Sequence, residues 1–212
     1  MRWRPTLAEG LSPGERGGAP ALPEAIIEIA GLWYWYEGGP PVLAGVDLRV
    51  PPGQLLALVG ANGSGKTTLV KHLNGLLRAR RGTVRVAGVD AAGHPVGEMA
   101  RQVGFLFQHP EQQIFSATVE GEVAFAPRNL GLPPADVQAR TAAALGRFGL
   151  EPVASRPPAI LGYGQRRKVT LASLAAQDPP LLVLDEPTVG LDAHGRRELL
   201  GWMAELRARG RT

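Results

Sequence analysis

Residues 60–68 read Gly-Ala-Asn-Gly-Ser-Gly-Lys-Thr-Thr. The apolar run Leu55-Leu56-Ala57-Leu58-Val59 leads into them, and Leu69-Val70-Lys71-His72-Leu73 follows with the texture of a helix. Strand, glycine loop and helix in that order, spaced G-x-x-x-x-G-K-[ST], form a phosphate-binding loop. At this chain's glycine, lysine, serine and threonine frequencies, roughly 0.003 such matches are expected by accident over the whole length. Gly60, Gly63 and Gly65 permit backbone conformations and close approaches that a Cβ would block. The N–H groups of Asn62, Gly63, Ser64, Gly65, Lys66, Thr67 and Thr68 can then converge at a helix start, where phosphate oxygens are favoured. Lys66 is placed to reach the β- and γ-phosphates, and the Thr67 hydroxyl to hold Mg²⁺. The ligands expected of this loop are a nucleoside triphosphate, ATP or GTP, and Mg²⁺.

A second stretch complements the first. Leu181-Leu182-Val183-Leu184 is the continuous apolar run of a parallel strand covered on both faces, and it ends on Asp185-Glu186-Pro187-Thr188. A carboxylate at the end of a buried strand is where a phosphate-binding fold needs one. Asp185 suits Mg²⁺ bridging the β- and γ-phosphates, and Glu186 suits orienting and polarising the attacking water. Gln108, at the end of the apolar strand Val103–Phe107, is a candidate to sense both Mg²⁺ and the water. Further strands are expected at Ile26–Ile29, Leu32–Tyr36, Val46–Val50 and Gly82–Gly88. Tyr36, beside a Glu-Gly-Gly-Pro-Pro turn, is the aromatic placed to stack on a nucleotide base. From about 110 to 160 helical stretches such as Ala135–Phe148 alternate with Pro and Gly breaks, which reads as a helical insertion in an α/β core, within a helical subdomain of about 110–177. A last helix, about 194–208, carries Leu199, Met203 and Leu206 at helical spacing.

Composition removes several classes. With no cysteine, neither a disulfide framework nor a Cys-based metal site can be built. No run approaches the roughly 18 apolar residues that a membrane-crossing helix needs. The start, Met1-Arg2-Trp3-Arg4-Pro5, lacks the apolar core of an export signal. Residues 1–23, rich in Gly, Pro and Arg, are expected to be a disordered leader, with order over 24–212. The net charge of +4 is spread without a dominant basic block, so nucleic acid is not an expected partner.

Taken together, the phosphate-binding loop, Gln108, Leu161-Gly162-Tyr163-Gly164-Gln165, Leu184–Thr188 and Gly190-Leu191-Asp192 resemble, in order and rough spacing, the ATPase domains of ABC transporters over about residues 26–212. Within that family, Phe107–Phe115, Ala117-Thr118-Val119 and Ala124–Leu132 look like the energy-coupling factor branch, ATPases of uptake systems for vitamins and for cobalt or nickel. The resemblance implies a P-loop cassette: a mixed sheet with an N-terminal antiparallel part and a helical insertion. It implies ATP hydrolysis that powers import, at the cytoplasmic face of the cell membrane. Two such subunits, identical or related, would pair head to tail, each loop facing the other's signature, Leu161 to Gln165, across ATP. Asp192 would communicate across that interface, and the helical insertion, hinged at Gln108, would press on an integral membrane subunit.

The sequence departs from the family pattern in three places. Gly162 stands where the signature usually has serine, and Tyr163 where it has glycine. The strand and switch histidine placed after the Asp192 helix do not precede Thr212; His194 falls at a helix start. A truncated form that binds ATP but turns it over poorly alone is therefore expected. The other readings weighed are a soluble ABC-type ATPase acting on DNA or ribosomes, for which about 50 insertion residues leave no coiled coil, and a non-hydrolysing regulatory module, against which Glu186 stands.

Overall fold

The computed structural model describes residues 24–107 and 114–212, which divide into two compact units: residues 24–99 with Thr212, and Ala100–Arg211. The leader reading of residues 1–23 lies outside the described residues, as does Gln108.

The first unit is an antiparallel sheet with two helices. Strands β1 (Ile27–Tyr34), β2 (Leu43–Val50), β3 (Arg81–Val86) and β4 (Val89–Asp90) lie in the order β2-β1-β3-β4. Helices α1 (Lys66–Leu73) and α2 (Val96–Met99) belong to the same unit. Two runs that the sequence separates, Ile26–Ile29 and Leu32–Tyr36, merge into β1. The reason is a register shift between Ile29 and Leu32, centred on Gly31 at φ +56°. Before it the buried residues are Ile27 and Ile29; after it they are Leu32 and Tyr34. One added residue therefore changes the phase of the alternation and keeps both apolar sets on the core face. Trp35 and Tyr36 lie beyond the strand.

The expected strand Leu55–Val59 does not form. Among the described residues no ladder takes it up, and Leu55 and Val59 are 63% and 83% exposed. An apolar run becomes a strand only by hydrogen-bonding to a neighbour. Within this unit the ladder is made by β1 to β4, and Leu55–Val59 pairs with none of them.

The second unit carries a parallel pair. Strands β5 (Val103–Leu106) and β6 (Leu181–Leu184) run in register from Val103 opposite Leu181 to Leu106 opposite Leu184. Around them are α3 (Val119–Asn129), α4 (Pro134–Arg147), α5 (Tyr163–Gln177) and α6 (Ala193–Ala208). Their core includes Leu106, Val123, Phe148, Leu171, Leu199 and Trp202, with the Phe148 and Trp202 rings edge to face at 5.6 Å. Thr118 caps α3 by accepting from Gly121 N–H at 3.0 Å. Buried Glu122 on α3 accepts from the Phe115 and Ser116 N–H groups at 3.1 and 2.9 Å, which fixes the approach to that helix. The expected insertion corresponds, among the described residues, to α3, α4 and α5 with two short 3₁₀ turns between the last two.

Candidate functional site

The phosphate-binding loop occupies the first unit. It turns at Gly63 (φ +78°) and Gly65 (φ +90°), and Gly65 is the residue at the start of α1. A Cβ on Gly65 would stand 3.1 Å from Leu43 Cδ2 and 3.2 Å from the Val42 carbonyl oxygen, so both its conformation and its surroundings demand glycine. No side chain caps α1, and no acidic residue lies in its first turn. The helix start therefore keeps its positive partial charge for an external anion. Lys66 Nζ donates to the carbonyls of Gly60 and Ala61 at 2.8 and 2.9 Å, which places the ammonium over the loop. Thr67 is exposed; Thr68 is buried. A triphosphate fits this donor set of backbone amides and one ammonium.

Tyr36 is brought to the same place. Its hydroxyl lies 3.1 Å from Thr68 Oγ1, and its ring stands edge-on to Tyr34 at 5.1 Å, leaving it about half exposed. Tyr34 in turn meets buried His72, whose Nδ1 is 2.7 Å from the Thr68 carbonyl. Burial lowers the His72 pKa, partly offset by that backbone contact, so the ring is held neutral as a packing element of α1.

The acidic tip and the signature segment occupy the second unit. Asp185 is half-buried and Glu186 exposed, directly after β6; Asp185 N–H donates to the Leu106 carbonyl at 3.0 Å and so extends the parallel ladder. Glu186 has φ +48°, left-handed backbone that costs a non-glycine residue on the order of 1–3 kcal/mol unless its surroundings impose it. The chain then turns through Val189, whose N–H bonds the Glu186 carbonyl at 3.2 Å, to Asp192. Asp192 caps α6 through a 2.7 Å bond from Gly195 N–H, and that bond holds its carboxyl below the usual carboxylate range.

The signature is itself the start of α5. Leu161 is buried, Gly162 is the N-cap, and Tyr163, Gly164 and Gln165 form the first turn. Gly162 has φ −64° and ψ 161°, with nothing within 4 Å of an added Cβ. Tyr163 lies across the Asp192 segment: a Cβ on Gly190 would fall 2.1 Å from its ring. Sequence reasoning missed the residue joining these pieces, Arg167. It is fully buried on α5 and donates to the carbonyls of Phe107 (3.5 Å), Asp185 (3.2 Å) and Glu186. Its one signal in the sequence is position: Arg167 falls on the same stripe as Thr170, Leu171 and Leu174, where an apolar residue is expected.

The family described as "ABC transporter" matches residues 43–189. The chain is 44% identical to the cobalt import ATP-binding protein CbiO of Syntrophus aciditrophicus over 87% of its own length and 67% of that protein. It is 39% identical to the energy-coupling factor transporter ATP-binding protein EcfA of Methanocaldococcus jannaschii, over 88% and 68% of the two chains. Other relatives at similar identity are named only as ABC transporter ATP-binding proteins, with no substrate. Among solved structures, CbiO1 of Clostridium perfringens, described as part of the transporter complex CbiONQ, superposes with a TM-score of 0.76. Its sequence identity is 31%, and the match covers 89% of this chain and 76% of that one.

Proposed function

The chain belongs to the ABC transporter family and is an ABC-type ATPase, and on that premise we propose that it is the ATP-driven subunit of an energy-coupling factor type importer of a metal ion or vitamin. What supports the transport reading is the identity to the two relatives named for cobalt import and for energy coupling, over two thirds of their length. Among the described residues no helix is long and apolar enough to cross a membrane. Under this reading the chain works from the cytoplasmic face, held there by an integral membrane subunit.

The chemistry follows from the two groups of residues. Lys66 exchanges the carbonyls of Gly60 and Ala61 for β- and γ-phosphate oxygens, and the α1 amides hold the remaining charge. Tyr36 stacks on the adenine. The Thr67 hydroxyl and the Asp185 carboxylate are oxygen donors of the kind that a hard cation takes, and they would hold Mg²⁺. Held there, such an ion would supply positive charge against the phosphate oxygens. Glu186 accepts a proton from the attacking water, with Gln108 as second contact to it. Leu161–Gln165 of a second ATPase subunit, identical or related, completes the site, its α5 amides facing the γ-phosphate. Asp192 carries the state of one site to the other.

Two measurements test this. Lys66→Ala removes a charge-assisted contact and should weaken ATP binding about ten- to hundredfold in an equilibrium titration; unchanged affinity would overturn the site. Purification from native membranes should recover an integral membrane subunit with the chain, whereas recovery with ribosomes or DNA would move the protein to another branch of its family.

A further inference from the structure

Glu186 sits in strained backbone, and the side chain over-determining it comes from the signature helix. Arg167 lies one turn after Tyr163 on α5 and is fully buried. Its guanidinium spans the carbonyls of Phe107 at the end of β5 and of Asp185 and Glu186 at the end of β6. The Glu186 carbonyl accepts a second bond from Val189 N–H. By holding the carbonyls of Asp185 and Glu186, Arg167 orients both peptides that flank the Glu186 Cα and so holds its φ of +48°. Arg167 also lies beside the side chain of Tyr163, one turn earlier on α5, whose ring covers Gly190. The first turn of α5, the acidic tip and the segment leading to Asp192 thus meet at one arginine.

We propose that Arg167 is a positioning residue for hydrolysis: it fixes the backbone of Glu186 and, through Tyr163, makes that backbone responsive to the signature turn. The inference rests on Glu186 as the residue that polarises water. Its consequence is directional. A partner's nucleotide engaging Leu161–Gln165 pulls on Tyr163, and Arg167 passes the displacement to the carbonyl of Glu186 in the same chain. The two ATP sites of a pair are then coupled inside each subunit as well as across the interface. Only arginine offers five donors in a planar fork that can serve three carbonyls together; lysine offers a point charge and three donors. Burial lowers the Arg167 pKa from its ordinary value, and the neighbouring Tyr163, Glu186 and Asp185 only partly oppose this.

The test uses the chain in its native assembly, with phosphate release from Mg-ATP and ATP affinity measured separately. Arg167→Met keeps an unbranched side chain in the core and removes every donor. It should lower kcat about ten- to hundredfold, the range expected when a reacting group is displaced by an ångström or less, while the KM for ATP stays within about twofold. Arg167→Lys should recover part of the loss. Tyr163→Phe keeps the ring over Gly190 and removes only the hydroxyl, so it should lower kcat by a smaller factor with no change in thermal midpoint. An unchanged kcat in folded Arg167→Met overturns the proposal. So does a fall in ATP affinity matching the fall in kcat, which marks general loss of structure. Should Arg167→Met not fold, Tyr163→Phe decides: full turnover there overturns the link to the signature, and reduced kcat at constant KM supports it. Glu186→Gln separates the two readings. If it abolishes turnover while Arg167→Met does not lower kcat, the positioning role alone fails; if Glu186→Gln turns over normally, the assignment of Glu186 fails first.

Discussion

Helices α1 and α5 both start at a glycine without a side-chain cap, and both are read as facing phosphate, yet the two glycines differ in kind. Gly65 is left-handed at φ +90° and crowded by Leu43 and the Val42 carbonyl. Gly162 has φ −64° in open space, a conformation that any residue adopts. The first glycine is imposed by the fold. The second leaves the fold indifferent, so whatever its presence changes must show in function. Helix α6 supplies a third case, because Asp192 caps it with a carboxylate.

The largest effect should come from Gly65→Ala. A Cβ there meets the strained φ and a backbone oxygen at 3.2 Å that cannot move independently of β2. A loss of about 2 kcal/mol in unfolding free energy is expected, from a left-handed alanine plus local crowding. The same shift disturbs the amides at the helix start, so ATP affinity should fall at least about tenfold, because loop amides and Lys66 act on one phosphate group. Denaturant unfolding and nucleotide titration check both parts. Parent-like values in both would remove the distinction between the two glycines.

Asp192→Ala should have a smaller and pH-dependent effect. The Gly195 N–H holds the Asp192 carboxyl below its ordinary range. The cap's contribution is therefore fully present above the unfolded carboxylate pKa and fades as pH falls through the lowered folded value. At neutral pH the variant should melt below the parent, and in acid the two curves should converge. A constant gap across that range would show that capping charge is not what Asp192 adds to stability.

Local patterns made some of this molecule legible and left the rest dark for physical reasons. The glycine loop, the Leu181–Leu184 strand with its acidic end, and α6 were readable because each is written in consecutive residues: α6 spans Ala193–Ala208 against an expected 194–208. The joining of two runs into β1 was not, since the shift at Gly31 is set by partners in β2 and β3. Leu55–Val59 has the composition of a strand, but pairing is a property of neighbours, and composition cannot supply one. Arg167 was hidden for a similar reason. Local rules put arginine on the surface, and the carbonyls that justify its burial converge only once β5 and β6 lie side by side. The members of the candidate site were thus visible as motifs, whereas the contacts that discipline them were not.

The smallest structural effect, and the sharpest use of the comparison, belongs to Gly162→Ser. Serine fits the observed φ and ψ, meets no atom within 4 Å of its Cβ, and stands three residues before Gln165. Ser-x-x-Gln is the pattern of a capping box, in which each side chain satisfies a backbone N–H of the other residue. Replacing glycine by serine at an N-cap is worth only a few tenths of a kcal/mol. In a domain of this size that moves the thermal midpoint by about 1 °C. A hydroxyl at the start of α5 would also offer a donor to a γ-phosphate held by the facing subunit, a contact strengthened by the phosphate charge. Under the proposed reading ATP-driven pairing or turnover with a complete partner should then rise severalfold while the midpoint hardly moves. A midpoint gain with no change in pairing or turnover would mean that the signature's hydroxyl position serves the helix and not the nucleotide, and the two glycine-started helices would no longer share a ligand.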